Sequence, residues 1–364
     1  MEALLVAPRG DYAAWSRWAT RVDGPAESPD PAPLADFLRR LPYERALLLP
    51  CSDDWVRAVA GLPDDVRERM PAPTPGRPVL ARLLDKEGLA ATLREAGVPG
   101  PRTFVLADAA GLDALGLPDE ELRHFFLKPR DSQRFSSTFG LKAFAVDGRA
   151  AAAAALARAA GAGITMLLQE RIPGPPSAHL FLDGYVARDG RQLACLARRR
   201  LRMYPADFGN STYHVSVPLE QEPGALASLE RLLGHVDYRG VFSAEFKVDE
   251  RDGAAKLLEV NVRPWWYVEF AALCGVDVCD LAYRDLLGGG AEPVAGYAVG
   301  RRSVLPTADL RAARATGVGV RGMLRSWLGA SLTVFDLRDP LPAAVQTLEL
   351  ASRPLRALRS GTAA

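Results

Sequence analysis

Residues 240–266 read GVFSAEFKVDERDGAAKLLEVNVRPWW, two strand-like runs around a turn. Side chains alternate between the two faces of a strand. In the first run Phe242, Ala244, Phe246 and Val248 therefore share one face, and Ser243, Glu245 and Lys247 the other. In the second, Leu258, Val260 and Val262 lie opposite Glu259, Asn261 and Arg263. A turn centred on Asp252 sets Glu245 directly across from Glu259, with Cβ atoms about 5 Å apart. Two carboxylates at that separation repel unless positive charge lies between them. A divalent cation bridged by both relieves the repulsion. Carboxylate and amide oxygens suit a hard ion such as Mg²⁺, completed by water and phosphate oxygens. Arg263, on the same face, is placed to hold a phosphoryl group or a developing anion. The competing reading is an ordinary hairpin with one solvated, charged face.

The rest of the chain bounds the answer. Its 364 residues suffice for two or three packed subdomains. A net charge of +1 offers no bulk attraction to nucleic acid. No apolar run approaches the roughly 18 residues of a membrane span, and Glu2 stands where a signal peptide needs bases. These features predict a cytoplasmic protein; the wealth of Ala, Arg, Gly and Pro suggests a GC-rich bacterial genome. Cys51, Cys195, Cys274 and Cys279 show no CxxC spacing and the four histidines no i, i+4 pair, so zinc is disfavoured and buried free thiols are expected.

Read along the chain, ALLVAP (3–8) and RALLLPC (45–51) predict buried strands, with helices at 11–22, 34–41 and 52–62. This alternation describes a small α/β layer. MPAPTPGRP (70–78) is a linker by composition. HFFLKP (124–129) and LKAFAV (141–146) predict strands joined by the polar loop RDSQRFSST, and an Ala-rich helix follows. Alternating segments then run from 178 to 218, ahead of a helix and the hairpin. From 301 onward the chain reads as helical, with ten Arg against four acidic residues. A literal GxGxxG at Gly317, Gly319 and Gly322 follows helical sequence and not a strand, which fails the dinucleotide-binding context.

AEFKVD (244–249) and LLEVNVRP (257–264) resemble the ATP-grasp superfamily, in which one carboxylate and a following Glu-x-Asn hold Mg²⁺ beneath ATP. Three upstream segments extend the likeness in the family's order: LLDKEGLAATLREAGVPGPRTFVL (83–106), FFLKPRDSQ (125–133) and LLQERIPG (167–174). RRRLRMYPADFGNSTYHVSV (198–217) looks most like its carboxylate–amine ligase-like branch. The resemblance implies an α/β (α+β) chain of ATP-grasp fold: a small N-terminal α/β domain (1–78), an ATP-grasp domain (79–290) with a lid subdomain at about 123–172 and a C-terminal antiparallel sheet, and an Arg-rich extension (291–364). It further implies that Lys86 and Lys128 contact phosphates and that Gln169, Glu170 and Ile172 frame adenine. Glu245, Glu259 and Asn261 would bind two Mg²⁺ ions, with Mn²⁺ as a substitute, and Arg263 would stabilise the transferred phosphoryl group. One departure stands out: RDSQRFSSTFG holds only Gly140 where relatives carry a Gly-rich phosphate-covering loop, which leaves Arg130, Ser132 or Ser136 to contribute side chains.

The implied chemistry is attack of a substrate carboxylate on the γ-phosphate, then displacement of phosphate from the acyl-phosphate by an amine. The partners expected are small amino acid-like carboxylates and amines, with Arg199, Arg200, Trp265 and Trp266 as candidate substrate contacts. Two other readings stay open: bicarbonate-dependent N-carboxylation through carboxyphosphate, and an ATP-binding module without catalysis. An interfacial role of the Arg-rich tail at anionic lipid competes with simple packing on the core.

Overall fold

The structure of the chain, a computed structural model, describes residues 2–8, 10–130, 132–205 and 209–349. In chain order its strands are β1 Leu4–Leu5, β2 Thr20–Arg21, β3 Thr103–Leu106, β4 Phe125–Pro129, β5 Phe144–Ala145, β6 Met166–Glu170, β7 His179–Val186, β8 Gln192–Tyr204, β9 Asn210–Val217, β10 Gly240–Val248, β11 Ala255–Asn261, β12 Arg302–Val304 and β13 Ser331–Leu332. Seven of them form the main sheet in the order β11-β10-β7-β8-β9-β12-β13. Its neighbours pair antiparallel except β12 with β13. Alternation along these strands makes two chemically different faces. On one, Leu180, Leu182, Ala197, Ala244, Phe246 and Val260 bury against the helices Arg77–Leu84, Lys86–Glu95 and Pro223–His235. The other carries the polar residues of the site, closed at one end by Trp265, Tyr267 and Phe270.

A second, four-stranded antiparallel sheet, β3-β6-β4-β5, takes in the segment expected as the lid, with β3 added from ahead of it. Helix Arg149–Gly161 covers one side of it, with Leu156 and Ala159 meeting Phe125, Leu127 and Leu168. The expected polar loop after β4 is instead a helix, Ser132–Phe139. Phe135 and Phe139, at i, i+4, supply the reason. Both rings lie about 5 Å from that of Phe144 (4.8 and 5.2 Å), and Phe135 is fully buried. Aromatic packing ordered a segment whose polar residues suggested a loop.

The N-terminal segment departs from the expected α/β layer. Its ladder is the two-residue parallel pair β1–β2, and the run expected as a helix at 11–22 splits into a short 3₁₀ turn, Tyr12–Trp15, and β2. Residues 46–50 form no strand, although Ala46 N–H and Leu48 N–H donate to the carbonyls of Arg69 and Pro71. Helices at Pro31–Arg40 and Asp53–Ala60 hold this part together through Leu34, Phe37, Leu38 and Val59. The Pro-rich stretch at 70–78 is bonded to the main sheet, Val241 N–H donating to Pro73 O at 2.9 Å. That approach requires Gly240: its φ is +119°, and a Cβ there would lie 2.5 Å from Pro73 O.

The C-terminal segment is helical at Pro306–Ala315, Val320–Trp327 and 341–349, but it also lends β12 and β13 to the main sheet. Its anchor is Asp309, fully buried among four donors. Arg202 gives Nε and Nη2 at 2.9 and 2.5 Å, while Thr212 Oγ1 and Trp327 Nε1 both donate at 2.7 Å. No helix among the described residues is long and apolar enough to cross a membrane.

Asp309→Ala strips the largely buried Arg202 guanidinium of its carboxylate and should cost about 3–5 kcal/mol in urea unfolding at neutral pH. Burial works to raise the Asp309 pKa, yet Arg202, Thr212 and Trp327 hold it below its ordinary 3.8. The stabilisation is therefore complete above that value and fades as pH falls through the depressed one. The stability gap between wild type and Asp309→Asn should accordingly narrow between about pH 5 and about pH 2.

Candidate functional site

The hairpin that raised the question pairs Ser243 with Asn261, Ala244 with Val260 and Glu245 with Glu259. Beyond that point the register shifts, so that Phe246 faces Leu257 and Leu258 is the extra residue of a bulge. The inward set on β11 is thus Ala255, Leu257, Val260 and Val262, with Leu258 only half-buried where plain alternation put it inside. The turn closes through Asp249 N–H to Ala254 O at 2.9 Å.

The two carboxylates meet, but their charge is already partly balanced by the sheet. Glu245 Oε1 accepts from Arg200 Nη2 at 3.0 Å and from His179 Nδ1 at 2.7 Å. Burial alone would raise the Glu245 pKa; the Arg200 guanidinium and the His179 bond outweigh it and hold the group at about 2. Burial lowers the His179 pKa, and an ionised carboxylate only accepts, so a neutral imidazole donates its Nδ1–H. Arg200 is itself buried, with Nε on Ser211 Oγ at 2.9 Å and its guanidinium over the Phe181 ring. A second buried pair lies next to it, Arg198 Nε to Asp183 Oδ2 at 2.5 Å.

Glu259 stays exposed on the same face. Asn261 Oδ1 accepts from Arg263 Nη2 at 3.3 Å, and Arg263 Nε donates to Asp53 Oδ1 at 2.7 Å. Glu245, Glu259 and Asn261 offer hard oxygen donors only. Among the described residues no cluster of three or more His, Cys, Asp or Glu could hold a metal by itself. Two carboxylates and one amide oxygen fit an ion that takes its remaining ligands from phosphate and water, as Mg²⁺ does.

The second sheet and the helix opened by Lys86 carry the candidates for the nucleotide. Lys86 opens its helix and donates from Nζ to Pro129 O at 2.6 Å, beside Lys128. Lys128 and Phe126 share the half-buried face of β4, away from the lid core, and Gln169 lies across from Phe126. The Gln169 amide donates to Thr103 Oγ1 at 3.2 Å. Glu170 uses its carboxylate structurally, accepting from Arg102 N–H at 3.1 Å and from Arg251 Nη2 at 2.8 Å. Arg251 also grips Asp249 at 2.6 Å, which ties Glu170 at the end of β6 to the hairpin turn. Ile172 is buried, and its N–H and C=O are taken by no other backbone group among the described residues.

The remaining candidates separate. Arg200 faces Glu245, whereas Arg199, one residue earlier, points to the opposite face of the sheet. There it donates to Ser177 O at 2.9 Å and Glu222 Oε1 at 3.0 Å. Trp265 is core, while Trp266 is 54% exposed. Sequence reasoning missed Asp53, His179, Asp183 and Lys247. Lys247 was visible as the residue two beyond Glu245 on the same face; burial and then Arg171 and Arg200 lower its pKa. The other three carried no local signal.

Arg200→Met removes the main balancing charge from Glu245 and should destabilise the fold by about 3–5 kcal/mol in urea. Combining it with Glu245→Met should recover most of that loss, because an apolar pair of similar volume leaves no buried charge. Near-wild-type stability of the single variant would refute the role given to this pair.

No family model matches the chain. It is 27% identical over 252 residues to the D-aspartate ligase of Enterococcus faecium (strain Aus0004), an alignment covering 66% of this chain and 59% of that protein. The chain thus spans about three-fifths of the length of this curated relative. Among solved structures, the L-amino acid ligase from Bacillus licheniformis superposes with a TM-score of 0.53 at 15% identity, over 74% of this chain and 63% of that one. The biotin carboxylase domain of the Hydrogenobacter thermophilus 2-oxoglutarate carboxylase, in complex with MgADP, ADP and bicarbonate, gives 0.59 at 14% identity, over 84% and 68%. The paired hairpin carboxylates, the two-sheet architecture and these likenesses agree that the chain has the ATP-grasp fold.

Proposed function

We propose that the chain is an ATP-dependent, ADP-forming ligase that activates a carboxylate as an acyl-phosphate and joins it to an amine. The observation that supports this best is the register of β10 and β11, which sets Glu245 against Glu259 with Asn261 and Arg263 beside them. In this reading Lys86 and Lys128 hold phosphate oxygens, and the backbone of Glu170 and Ile172, with Gln169, meets the base. Glu245, Glu259 and Asn261 hold Mg²⁺, two ions in all and replaceable by Mn²⁺. Bound there, the metal supplies charge neutralisation on the phosphate oxygens. Arg263 directs its guanidinium at the phosphoryl group in transfer, a point charge present before the reaction begins.

Arg200 has a different task from the one its sequence suggests. It keeps Glu245 ionised, and an ionised carboxylate is what a hard cation binds. The substrate side is left to Trp266, which is exposed and three residues beyond Arg263 in the chain. The relative's name, D-aspartate ligase, supports amino acids as the substrate class. An amine attacking an acyl-phosphate must arrive unprotonated and shielded from water, which favours a closed lid during the second step.

A phosphate-release screen over amino acids and amines, with mass spectrometry of the product, tests the proposal. ADP and phosphate should form only when both a carboxylate and an amine are supplied with Mg²⁺. Glu259→Gln should lower turnover by about 100-fold or more, and EDTA should abolish it. Unchanged ADP release in that variant would overturn the metal assignment, and strict dependence on bicarbonate would replace ligation by N-carboxylation.

A further inference from the structure

Arg263 is gripped by a residue 210 positions earlier in the chain. Its Nε donates to Asp53 Oδ1 at 2.7 Å, a charge-assisted length. Its other contacts are longer, Nη1 to Pro264 O and Nη2 to Asn261 Oδ1, both at 3.3 Å. Asp53 is the first residue of the helix Asp53–Ala60, which Ser52 caps by accepting from Trp55 N–H at 3.3 Å. The unpaired N–H groups of a helix start carry partial positive charge, which disfavours an adjacent guanidinium. Asp53 and Asp54 in the first turn reverse that sign. Asp53 thus makes this place habitable for Arg263 and also takes Nε, which leaves Nη2 for Asn261 and Nη1 for Pro264 O. An arginine side chain has many rotamers, so a free Arg263 would spend little time in one orientation.

We propose that Asp53 is a positioning residue for Arg263, and that the N-terminal segment thereby completes the phosphoryl-transfer site. The inference rests on the nucleotide reading given above. Asp53 touches neither nucleotide nor substrate in this scheme; it acts through the guanidinium.

The test uses the full chain and probes that need no knowledge of its substrates. Binding of MgADP is measured with and without aluminium fluoride, which mimics the phosphoryl group in transfer, for wild type, Asp53→Asn, Asp53→Glu, Arg263→Ala and the Asp53→Asn/Arg263→Ala double variant. Wild type should bind MgADP and tighten with fluoride. Asp53→Asn keeps the Ser52 cap, so it should retain MgADP affinity and its far-UV circular dichroism. It should lose most of the fluoride-dependent tightening, about tenfold or more. Asp53→Glu should restore part of it, and Asp53→Asn should add no loss where Arg263 is already alanine. Full tightening in Asp53→Asn, or an equal further loss in the Arg263→Ala background, would overturn the proposal. Wild type failing to bind MgADP would instead overturn the nucleotide reading beneath it.

Discussion

The hydrogen-bonded charge pair between Arg200 on β8 and Glu245 on β10 is the constraint on which the rest of the site depends. The two strands are not neighbours: β7 lies between them, and it contributes His179 to the same carboxylate and Phe181 beneath the guanidinium. One acidic side chain is thus held by two strands besides its own. Burial would neutralise it, and the guanidinium prevents that. A carboxylate kept ionised inside a sheet is a poor contributor to stability by itself, since its desolvation offsets much of the Coulombic gain. In the proposed metal site its value would lie in being fixed, charged and half available, as a hard cation requires.

The two ends of the chain are drawn to this sheet by the same device used twice. From the N-terminal side Asp53 reaches Arg263, and from the C-terminal side Asp309 takes Arg202. In both cases an aspartate from a helical segment meets an arginine belonging to the sheet or the turn beyond it. Arg202 lies two residues from Arg200, and Arg263 two from Asn261, so each tie ends next to a residue of the site. The Arg-rich appearance of the last part of the chain misdirects attention: besides β12 in the sheet, two buried acids tie it to the rest, Asp309 through Arg202 and Asp339 by accepting from Ser16 Oγ and Arg17 N–H.

Much of the hairpin was legible because its information is local. Alternation and a short turn set Glu245 against Glu259, and the structure keeps that pairing while spending the extra residue, Leu258, further along. Arg199 and Arg200 show where locality ends. They are adjacent and chemically identical, and only the register of β8 against β7 sends one to Glu245 and the other to Glu222. The helix at Ser132–Phe139 was hidden for a related reason, since its cause is the contact of Phe135 and Phe139 with Phe144, which its polar sequence does not announce. The strand expected at 3–8 forms only over Leu4–Leu5, paired with β2, and the one expected at 45–51 forms no strand, although both apolar runs are present.

The sequence by itself determined the periodic and the contiguous: the strand faces, the order of the motifs, the ATP-grasp likeness and the meeting of two carboxylates across one turn. Tertiary structure alone decided which cation balances Glu245, that Glu170 serves Arg251, and that Asp53 holds Arg263. The physical reason is separation. Hydrophobic alternation repeats within a few residues and is readable in any short window. An ion pair between residues up to 210 positions apart exists only once the chain has folded both of them to the same place.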